Sequence, residues 1–462
     1  MARISEQTIE EVNAVSILDL ADALGVHTKR VGKQYQIPCP NPGHQARVSD
    51  NTFIEPNKNL FKCFACEASG SSAFSYYFWH EYGRGYDKTN LEDKKAFPKI
   101  IEEIAKLIGI PILYDDGSYV KSEKQYRPRV KQIVELEPLS DKVCDQVYRA
   151  FLSLCPIRQE HAVEWLQERR YSKEDVVSLS LRSVPSPEEL VPILQKLIAK
   201  GYPIARVPGF VQRLIPPNLA TQYPPELLEE DSQGRGYWVW TLSSGKGGYF
   251  IPVRDRFSRI VRLRVKRPAG KPKYIWFSST DNTAIETKTA LLRKNGVSSG
   301  APLHIAPPVS QLKVWEVGTD LADIHNVSVV IATEGEHKAQ VSANLLNVVL
   351  IGIPGVGNFE PVIPLLRDWG TKKFILAYDM DTLKREDDSL KSQQKQKRLF
   401  DILTEFAKEV MKLGIEVLLW TWDIKDGKGL DDLLQHRKLP FQINLRTGER
   451  KLVDLKQLYE VA

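Results

Sequence analysis

The sequence predicts a multidomain protein that combines an α+β part with an α/β part. In the C-terminal third, four continuous apolar runs have the pattern of strands in a parallel sheet that helices cover on both faces. Near the N-terminus, three cysteines and one histidine are spaced like the ligands of a small metal-stabilised β module. The length of 462 residues fits about three domains.

The composition indicates a globular protein, because 42% of the residues are hydrophobic and no low-complexity tract occurs. No apolar run reaches the ~18 residues of a membrane-spanning helix, and the N-terminus lacks the apolar core of a signal sequence. We therefore expect a cytoplasmic protein without a membrane partner. The net charge of +6 does not indicate nucleic acid by itself, and the odd number of cysteines, five, argues against a disulfide framework.

Residues 1–112 are predicted to form a zinc-ribbon domain. Its four candidate ligands are Cys39, His44, Cys63 and Cys66, a Cys₃His set that fills all tetrahedral positions of zinc. Such a closed set indicates structural rather than catalytic zinc. Free buried thiols are the alternative, but metal is more common than disulfides in the cytosol.

The segment between the ligands is predicted to form a ribbon hairpin. Residues 52–55 and 60–64 have strand character on either side of a turn at Asn57–Asn59. Exposed aromatic and basic side chains of such a ribbon suit base stacking and phosphate contact, although the two phenylalanines fit the core of a small domain better. These side chains are Phe53, Lys58, Phe61 and Lys62.

Residues 113–140 are charged, contain glycine and proline and lack sustained periodicity, which predicts a linker. Residues 141–318 are predicted to form a helical and basic-strand subdomain. Nine basic residues and a single acid lie between Arg254 and Lys273, with apolar and basic residues alternating along one strand. This stripe indicates a track for a polyanion; a solvated edge strand that uses charge against aggregation is the alternative.

The α/β sheet is predicted over residues 319–440, with a short tail over residues 441–462. Glu334 follows the first apolar run, and Asp379 and Asp381 follow the third. Ligands of parallel sheets bind beyond the carboxyl ends of the strands, and strand alternation predicts Asp379 and Asp381 on one side with Met380 turned away. These carboxylates are predicted to form a cage for a hard cation such as Mg²⁺.

The order of strand, Glu334-Gly335, strand and Asp379-Met380-Asp381 resembles the TOPRIM domain of bacterial-type (DnaG-like) primases, topoisomerases and some nucleases. The resemblance implies that Glu334, Asp379 and Asp381 are the catalytic residues and that Mg²⁺ or Mn²⁺ is the catalytic cofactor. It implies a further magnesium ligand at Asp431. Two positions depart from the pattern, because Lys338 and Gly429 stand where many primases have aspartate.

Two further segments resemble the same primases. Cys39-Pro40 and the sequence from Cys63 to Cys66 are similar to their zinc-binding domain, which contacts the single-stranded template. Pro252-Val253-Arg254-Asp255 and Pro272-Lys273-Tyr274 are similar to their basic-strand motifs. The resemblance implies that template and nucleotide phosphates are held by Arg254, Lys266 and Lys273.

The function implied by the resemblance is that of a DNA primase, which joins ribonucleotides into short RNA primers on single-stranded DNA. Its partners would be single-stranded DNA and ribonucleoside triphosphates, with a separate replicative helicase as a further candidate, and a mobile-element or phage origin fits the departures. The tail is expected to be too short for a helicase-binding domain. The alternatives are a metal-dependent nuclease of the TOPRIM type and a non-catalytic DNA-binding replication accessory protein.

Overall fold

The computed structural model describes residues 3–31, 34–44, 52–66, 68–122, 126, 136–243, 247–270, 272–283, 292–383 and 390–456, without the side chains of residues 57, 382, 383, 390–392, 394, 395 and 398. The chain divides into two compact units. The N-terminal unit comprises residues 1–134 and 282–290, and the C-terminal unit comprises residues 135–281 and 291–462. No helix in the described ranges is both long and apolar enough to cross a membrane.

In its described residues, the N-terminal unit has four α-helices, an antiparallel sheet in the order β1-β2-β3-β4-β5 and a separate β6-β7 pair. Its helices are α1 (Glu6–Asn13), α2 (Ile17–Ala23), α3 (Ala73–Tyr82) and α4 (Leu91–Ile108). Its strands are β1 (Lys29–Val31), β2 (Gln34–Ile37), β3 (Thr52–Glu55), β4 (Leu60–Cys63), β5 (Ser69–Gly70), β6 (Ile112–Leu113) and β7 (Tyr119–Val120).

The predicted ribbon hairpin is formed by β3 and β4, which pair with Thr52 opposite Cys63. Between them, the turn ends on Asn59, whose backbone φ is +47°. The buried Asn59 amide accepts a 2.7 Å hydrogen bond from the Ile17 N–H and donates a 2.8 Å bond to the Val15 carbonyl. The turn is therefore tied to the start of α2 rather than exposed.

The predicted linker starts too early, because residues 112–120 form the β6-β7 pair within the N-terminal unit. Much of the remaining predicted linker, at residues 123–125 and 127–135, lies outside the described residues. The finer domain boundaries at residues 140, 318 and 440 stay predictions.

The C-terminal unit contains twelve helices among the described residues, together with a π-helical turn over Glu164–Glu168. The first six are α5 (Asp141–Leu154), α6 (Gln159–Val163), α7 (Lys173–Ser178), α8 (Pro187–Ala199), α9 (Pro217–Ala220) and α10 (Val309–Leu312). The others are α11 (Leu321–Ile324), α12 (Glu336–Leu346), α13 (Val362–Trp369), α14 (Met380–Leu383), α15 (Leu390–Lys412) and α16 (Leu430–Gln435). The predicted long polar helix matches α15, although its proposed start at residues 384–389 lies outside the described residues.

The strands of the C-terminal unit form three sheets. The first eight strands are β8 (Arg182–Ser183), β9 (Phe210–Ile215), β10 (Leu228–Glu230), β11 (Tyr237–Leu242), β12 (Tyr249–Arg254), β13 (Ile260–Lys266), β14 (Tyr274–Trp276) and β15 (Arg293–Lys294). The remaining seven are β16 (His304–Ala306), β17 (Val329–Glu334), β18 (Leu350–Ile353), β19 (Lys373–Leu376), β20 (Glu416–Thr421), β21 (Phe441–Asn444) and β22 (Arg450–Leu452).

The largest sheet has seven strands in the order β16-β18-β17-β19-β20-β21-β22. The four strands predicted from the apolar runs, β17 to β20, are mutually parallel, while β16 on one side and β21 with β22 on the other pair antiparallel. Val330 and Phe374 pack into one core cluster, and Ile331 and Ile375 pack into another on the opposite face. The predicted fold class is confirmed, because burial on both faces explains why these strands carry no polar alternation.

The basic strand β13 is neither an exposed track nor an edge, which corrects both interpretations of its alternating charge. It pairs with β12 on one side and β14 on the other. Its three basic side chains are 12–16% exposed and pair with carboxylates from other segments, namely Arg262 with Asp141, Arg264 with Glu336 and Lys266 with Glu164. The charges are therefore compensated inside the unit.

A testable consequence concerns Asp145 on α5, whose buried carboxylate accepts 2.7 Å hydrogen bonds from Arg149 Nε and from the Ile260 N–H of β13. Asp145→Ala leaves that buried N–H unpaired, and we expect it to destabilise the C-terminal unit by about 2 kcal/mol. Denaturant unfolding followed by tryptophan fluorescence measures this, since eight of the nine tryptophans lie in the C-terminal unit.

The control for this measurement is Asp141→Ala, because the Asp141 side chain is 49% exposed and its partner Arg262 keeps hydrogen bonds to the Ser299 and Val261 carbonyls. We expect a loss of less than about 1 kcal/mol for this variant. Equal losses for the two variants would contradict the assignment of Asp145 as the anchor between α5 and β13.

Candidate functional site: a Cys₃His centre and a carboxylate cluster

The N-terminal unit gathers the four predicted zinc ligands at one end of the β3-β4 hairpin. One ligand atom from each of Cys39, His44, Cys63 and Cys66 lies within 4.8 Å of the other three. The Sγ atoms of Cys39 and Cys66 are 3.4 Å apart, and Cys63 Sγ lies 3.6 Å from His44 Nδ1. Zn–S bonds of about 2.3 Å at tetrahedral angles place two sulfurs about 3.8 Å apart, so the centre has the dimensions of a structural zinc site.

The surroundings of the cysteines favour thiolate at Cys63. Burial alone would raise its pKa, but the adjacent Thr52 side chain and the backbone N–H groups of Cys66 and Ala65 lower the pKa to about 6. Burial raises the pKa of Cys39 to about 12. Zinc binds thiolates, so a bound ion would supply the charge that Cys39 needs in order to ionise.

The aromatic residues of the ribbon separate into core and surface. Phe61 is fully buried and packs edge-to-face on Tyr76, with ring centroids 5.1 Å apart. Phe64, between the zinc ligands Cys63 and Cys66, is 64% exposed, and the Lys62 ammonium lies 5.7 Å from its ring centroid. The exposed aromatic of the ribbon is thus Phe64, which sequence reasoning used as a family marker but not as a contact residue.

In the C-terminal unit, Glu334 ends β17 at the carboxyl edge of the parallel strands. The next residue, Gly335, has φ +89°, a conformation that glycine adopts without strain, and it turns the chain directly into α12. The Glu334 side chain is half-buried. Burial and the neighbouring Asp379 raise the pKa of this carboxyl above its usual range.

Asp379 and Asp381 both follow the end of β19. The prediction that strand alternation points them to the same side is wrong, because neither residue belongs to the strand. β19 ends at Leu376, and Asp381 belongs to the helical turn α14 with Met380 buried beside it. Asp379 is 3% exposed, and burial raises its pKa although the neighbouring Lys338 acts in the opposite direction.

Asp431 joins the same edge from α16. It is 1% exposed, and burial raises the pKa of its carboxyl. Its Oδ2 lies 3.2 Å from Nη1 of Arg169, a residue of the segment before α7. This contact joins residues 262 positions apart, and sequence reasoning assigned Arg169 no role.

Two lysines complete the cluster. Lys338, on the first turn of α12, donates a short hydrogen bond to Asp379 Oδ2. Lys428, in the loop before α16, lies 2.7 Å from Asp381 Oδ2 and 3.9 Å from Asp379 Oδ2. Sequence reasoning treated Lys338 only as a missing ligand and did not assign Lys428 a role. We call the set the carboxylate cluster; its members are Glu334, Asp379, Asp381 and Asp431, with the cations Arg169, Lys338 and Lys428.

The carboxylate cluster has unpaired oxygens that fit a divalent cation. Asp379 Oδ1 and Asp431 Oδ1 are buried without a hydrogen-bond partner among the described residues. Both border the space beside Gly429, where a Cβ would lie 2.5 Å from Asp431 Oδ1 and 3.3 Å from Asp379 Oδ1. Carboxylate oxygens are the ligands that Mg²⁺ prefers, so the residues present are suited to hold such an ion.

The three basic residues predicted to hold phosphates have different environments. Arg254 is 2% exposed, and its guanidinium donates to the backbone carbonyls of Ser178 and Leu179, so its predicted phosphate contact does not fit the structure. Burial lowers the pKa of Arg254 to about 9 and that of the adjacent His304 to about 3. Lys266 is paired with Glu164, whereas Lys273 is exposed beside the Tyr274 ring.

Comparison with known proteins identifies the zinc module. Residues 4–118 match the family model of the CHC2 zinc finger. A DNA primase from Aquifex aeolicus (strain VF5) is 22% identical over 190 residues, which are 39% of this chain and 30% of that relative. The matched region thus spans less than a third of the curated relative. The family model and the relative confirm the predicted resemblance to bacterial-type primases, and the family match together with the Cys₃His geometry supports structural zinc.

Two solved structures match the chain at low similarity. The zinc-binding and RNA polymerase domains of the Aquifex aeolicus primase match at 17% identity and a TM-score of 0.40, covering 100% of this chain and 85% of that chain. The RNA polymerase domain of the Mycobacterium tuberculosis primase DnaG matches at 14% identity and a TM-score of 0.37, covering 64% of this chain and 79% of that chain.

The zinc centre leads to a testable expectation. Cys66→Ala removes one of four ligands, and we expect the purified protein to fall from about one zinc per chain to less than about 0.2. The hairpin of β3 and β4 should lose protection against amide hydrogen exchange, because zinc binding energy is folding energy in small modules.

The matched control is Cys155→Ala, which alters a buried thiol of the C-terminal unit. Zinc content of this variant, measured by atomic emission, should equal that of the parent. Full zinc in Cys66→Ala would rule out the four-ligand centre.

Proposed function

We propose that this protein is a DNA primase that synthesises short RNA primers on single-stranded DNA by metal-dependent phosphoryl transfer. The observation that carries the proposal is the convergence of Glu334, Asp379, Asp381 and Asp431 at the carboxyl ends of the parallel strands of one sheet. The same chain carries a CHC2 zinc finger and is similar over 190 residues to a DNA primase. These findings together favour ribonucleotide polymerisation over nuclease activity or a non-catalytic role for the carboxylate cluster.

The carboxylate cluster is suited to bind the reacting phosphates through an ion. A bound Mg²⁺ or Mn²⁺ would neutralise the triphosphate and make the primer 3′ hydroxyl more acidic. Asp379 and Asp431 would hold it through their unpaired Oδ1 atoms, with Glu334 beside them. Lys428, whose side chain is 57% exposed, stands at the rim and would contact phosphate oxygens, as would the exposed Lys273.

The zinc finger is proposed to bind the single-stranded template. Exposed Phe64 offers a flat ring for base stacking, a contact that tolerates any base, and Lys62 places a cation at the same ring for the phosphate. Phe53, edge-on to Phe64 at a centroid distance of 6.0 Å, supports the ring from the side. Ribonucleoside triphosphates and a replicative helicase are the other proposed partners.

The proposal is tested by primer synthesis. We expect the zinc-loaded protein to extend labelled ribonucleotides into short oligomers on single-stranded DNA with Mg²⁺ or Mn²⁺. Asp379→Asn keeps the shape of the side chain but removes its charge, and it should lower the yield at least about 100-fold because an ion would lose its buried anionic ligand. Product gels measure the yield, and fluorescence anisotropy checks that DNA binding is retained.

The control variant is Asp401→Asn on α15, an exposed aspartate remote in sequence from the cluster. It should synthesise primers at the parent's rate. Shortened template without new oligomers would replace the proposal with a nuclease, and DNA binding without either product would replace it with a replication accessory protein.

A further inference from the structure

We propose that Lys338 takes the place of one divalent cation, so that the carboxylate cluster binds a single Mg²⁺ or Mn²⁺, seated between Asp379 and Asp431 beside Gly429. The inference deepens the proposed function and rests on it only for the identity of the reaction. The side chains of Arg169, Lys338 and Lys428 then position the carboxylates, and the bound metal ion is the only cation that the cluster takes up from solution.

The first argument is how each buried carboxylate divides its two oxygens. The Oδ2 atom of Asp379 accepts a hydrogen bond from Lys338, and the Oδ2 atom of Asp431 accepts one from Arg169. The other oxygen of each, Oδ1, is buried and has no hydrogen-bond partner in the described part of the chain. A buried anionic oxygen without a partner is costly, so two of them at one place indicate a ligand.

The second argument is that the two unpaired oxygens border the same space. A Cβ placed on Gly429 would lie 2.5 Å from Asp431 Oδ1 and 3.3 Å from Asp379 Oδ1, so both oxygens are close to the same point. Residue 429 contributes no side chain there, and the Cδ of Lys338 comes within 3.2 Å of that point. A single ion that contacts both oxygens would lie beside this glycine.

The third argument is that the two departures from the primase pattern depend on each other. The Cδ of Lys338 lies 3.2 Å from the position that a Cβ of residue 429 would occupy. Glycine at 429 thus makes room for the lysine stem as well as for the Asp431 carboxylate. An aspartate at 429 would crowd both, and the ammonium of Lys338 already compensates Asp379 through its Oδ2.

The fourth argument is the charge of the cluster. Four carboxylates face three cationic side chains, which leaves one net negative charge. A single divalent cation reverses this to one net positive charge, which suits a triphosphate. A second divalent cation would meet the Lys338 ammonium at Asp379 and would have to displace it.

The test is the number of Mn²⁺ ions bound by the full-length, zinc-saturated chain, measured by electron paramagnetic resonance and by calorimetric titration. We expect one Mn²⁺ per chain in the parent and none in Asp431→Asn. Lys338→Met keeps the stem but removes the charge, and it should bind Mn²⁺ at least about tenfold more tightly because no ammonium competes for Asp379. Lys338→Asp should bind a second Mn²⁺.

The matched control is Lys294→Met, which removes a lysine of similar exposure (33%, against 28% for Lys338) from its 2.6 Å pair with Glu229 in another sheet. Its Mn²⁺ affinity should equal the parent's. Gly429→Ala provides a second variant independent of Lys338 and should weaken Mn²⁺ at least about tenfold, because the added Cβ would lie 2.5 Å from Asp431 Oδ1.

The outcomes separate this inference from the proposed function. Two Mn²⁺ ions in the parent, no Mn²⁺ at all, or an unchanged affinity in Lys338→Met overturns the single-ion seat, whether or not primers are made. One Mn²⁺ with the expected responses of the variants supports the seat even if primer synthesis is absent, and in that case only the assignment as a primase fails.

Discussion

The carboxyl edge of the large sheet depends on charge compensation between its buried carboxylates and three cationic side chains. Parallel strands end at a common edge, so acidic residues that follow them are forced together. Burying ionised carboxylates costs several kcal/mol for each one unless a partner is close. Arg169, Lys338 and Lys428 supply those partners from three separate segments, and the edge is therefore nearly neutral before any ligand arrives.

The same requirement explains the basic strand β13. Its alternating arginines and lysine suggest a surface for polyanions, yet each one reaches a carboxylate of another segment. Arg264, paired with Glu336 at the start of α12, joins this sheet to the helix that follows Glu334. The charges of β13 thus hold segments of the C-terminal unit together, while the exposed Lys273 and Lys428 are the groups open to phosphate.

Features that are determined by neighbouring residues in the sequence could be predicted, whereas features that depend on distant contacts could not. The parallel strands and the Cys₃His centre were predictable because apolar runs and ligand spacing are local signals. Arg254 was not, since an arginine buried against the Ser178 and Leu179 carbonyls has the same local pattern as an exposed one. Asp381 was placed on the strand by alternation, but the strand ends at Leu376 and a helical turn intervenes.

The close packing of Lys338 against Gly429 has a consequence for the history of this chain. A Cβ at residue 429 would lie 3.2 Å from the Lys338 Cδ and 2.5 Å from Asp431 Oδ1, so a side chain there would displace both the lysine stem and the carboxylate. A change at either position therefore alters the surroundings of the other. The two residues are expected to change together in descent, so that relatives carry either the pair Lys and Gly or the pair of acids, with mixed pairs selected against.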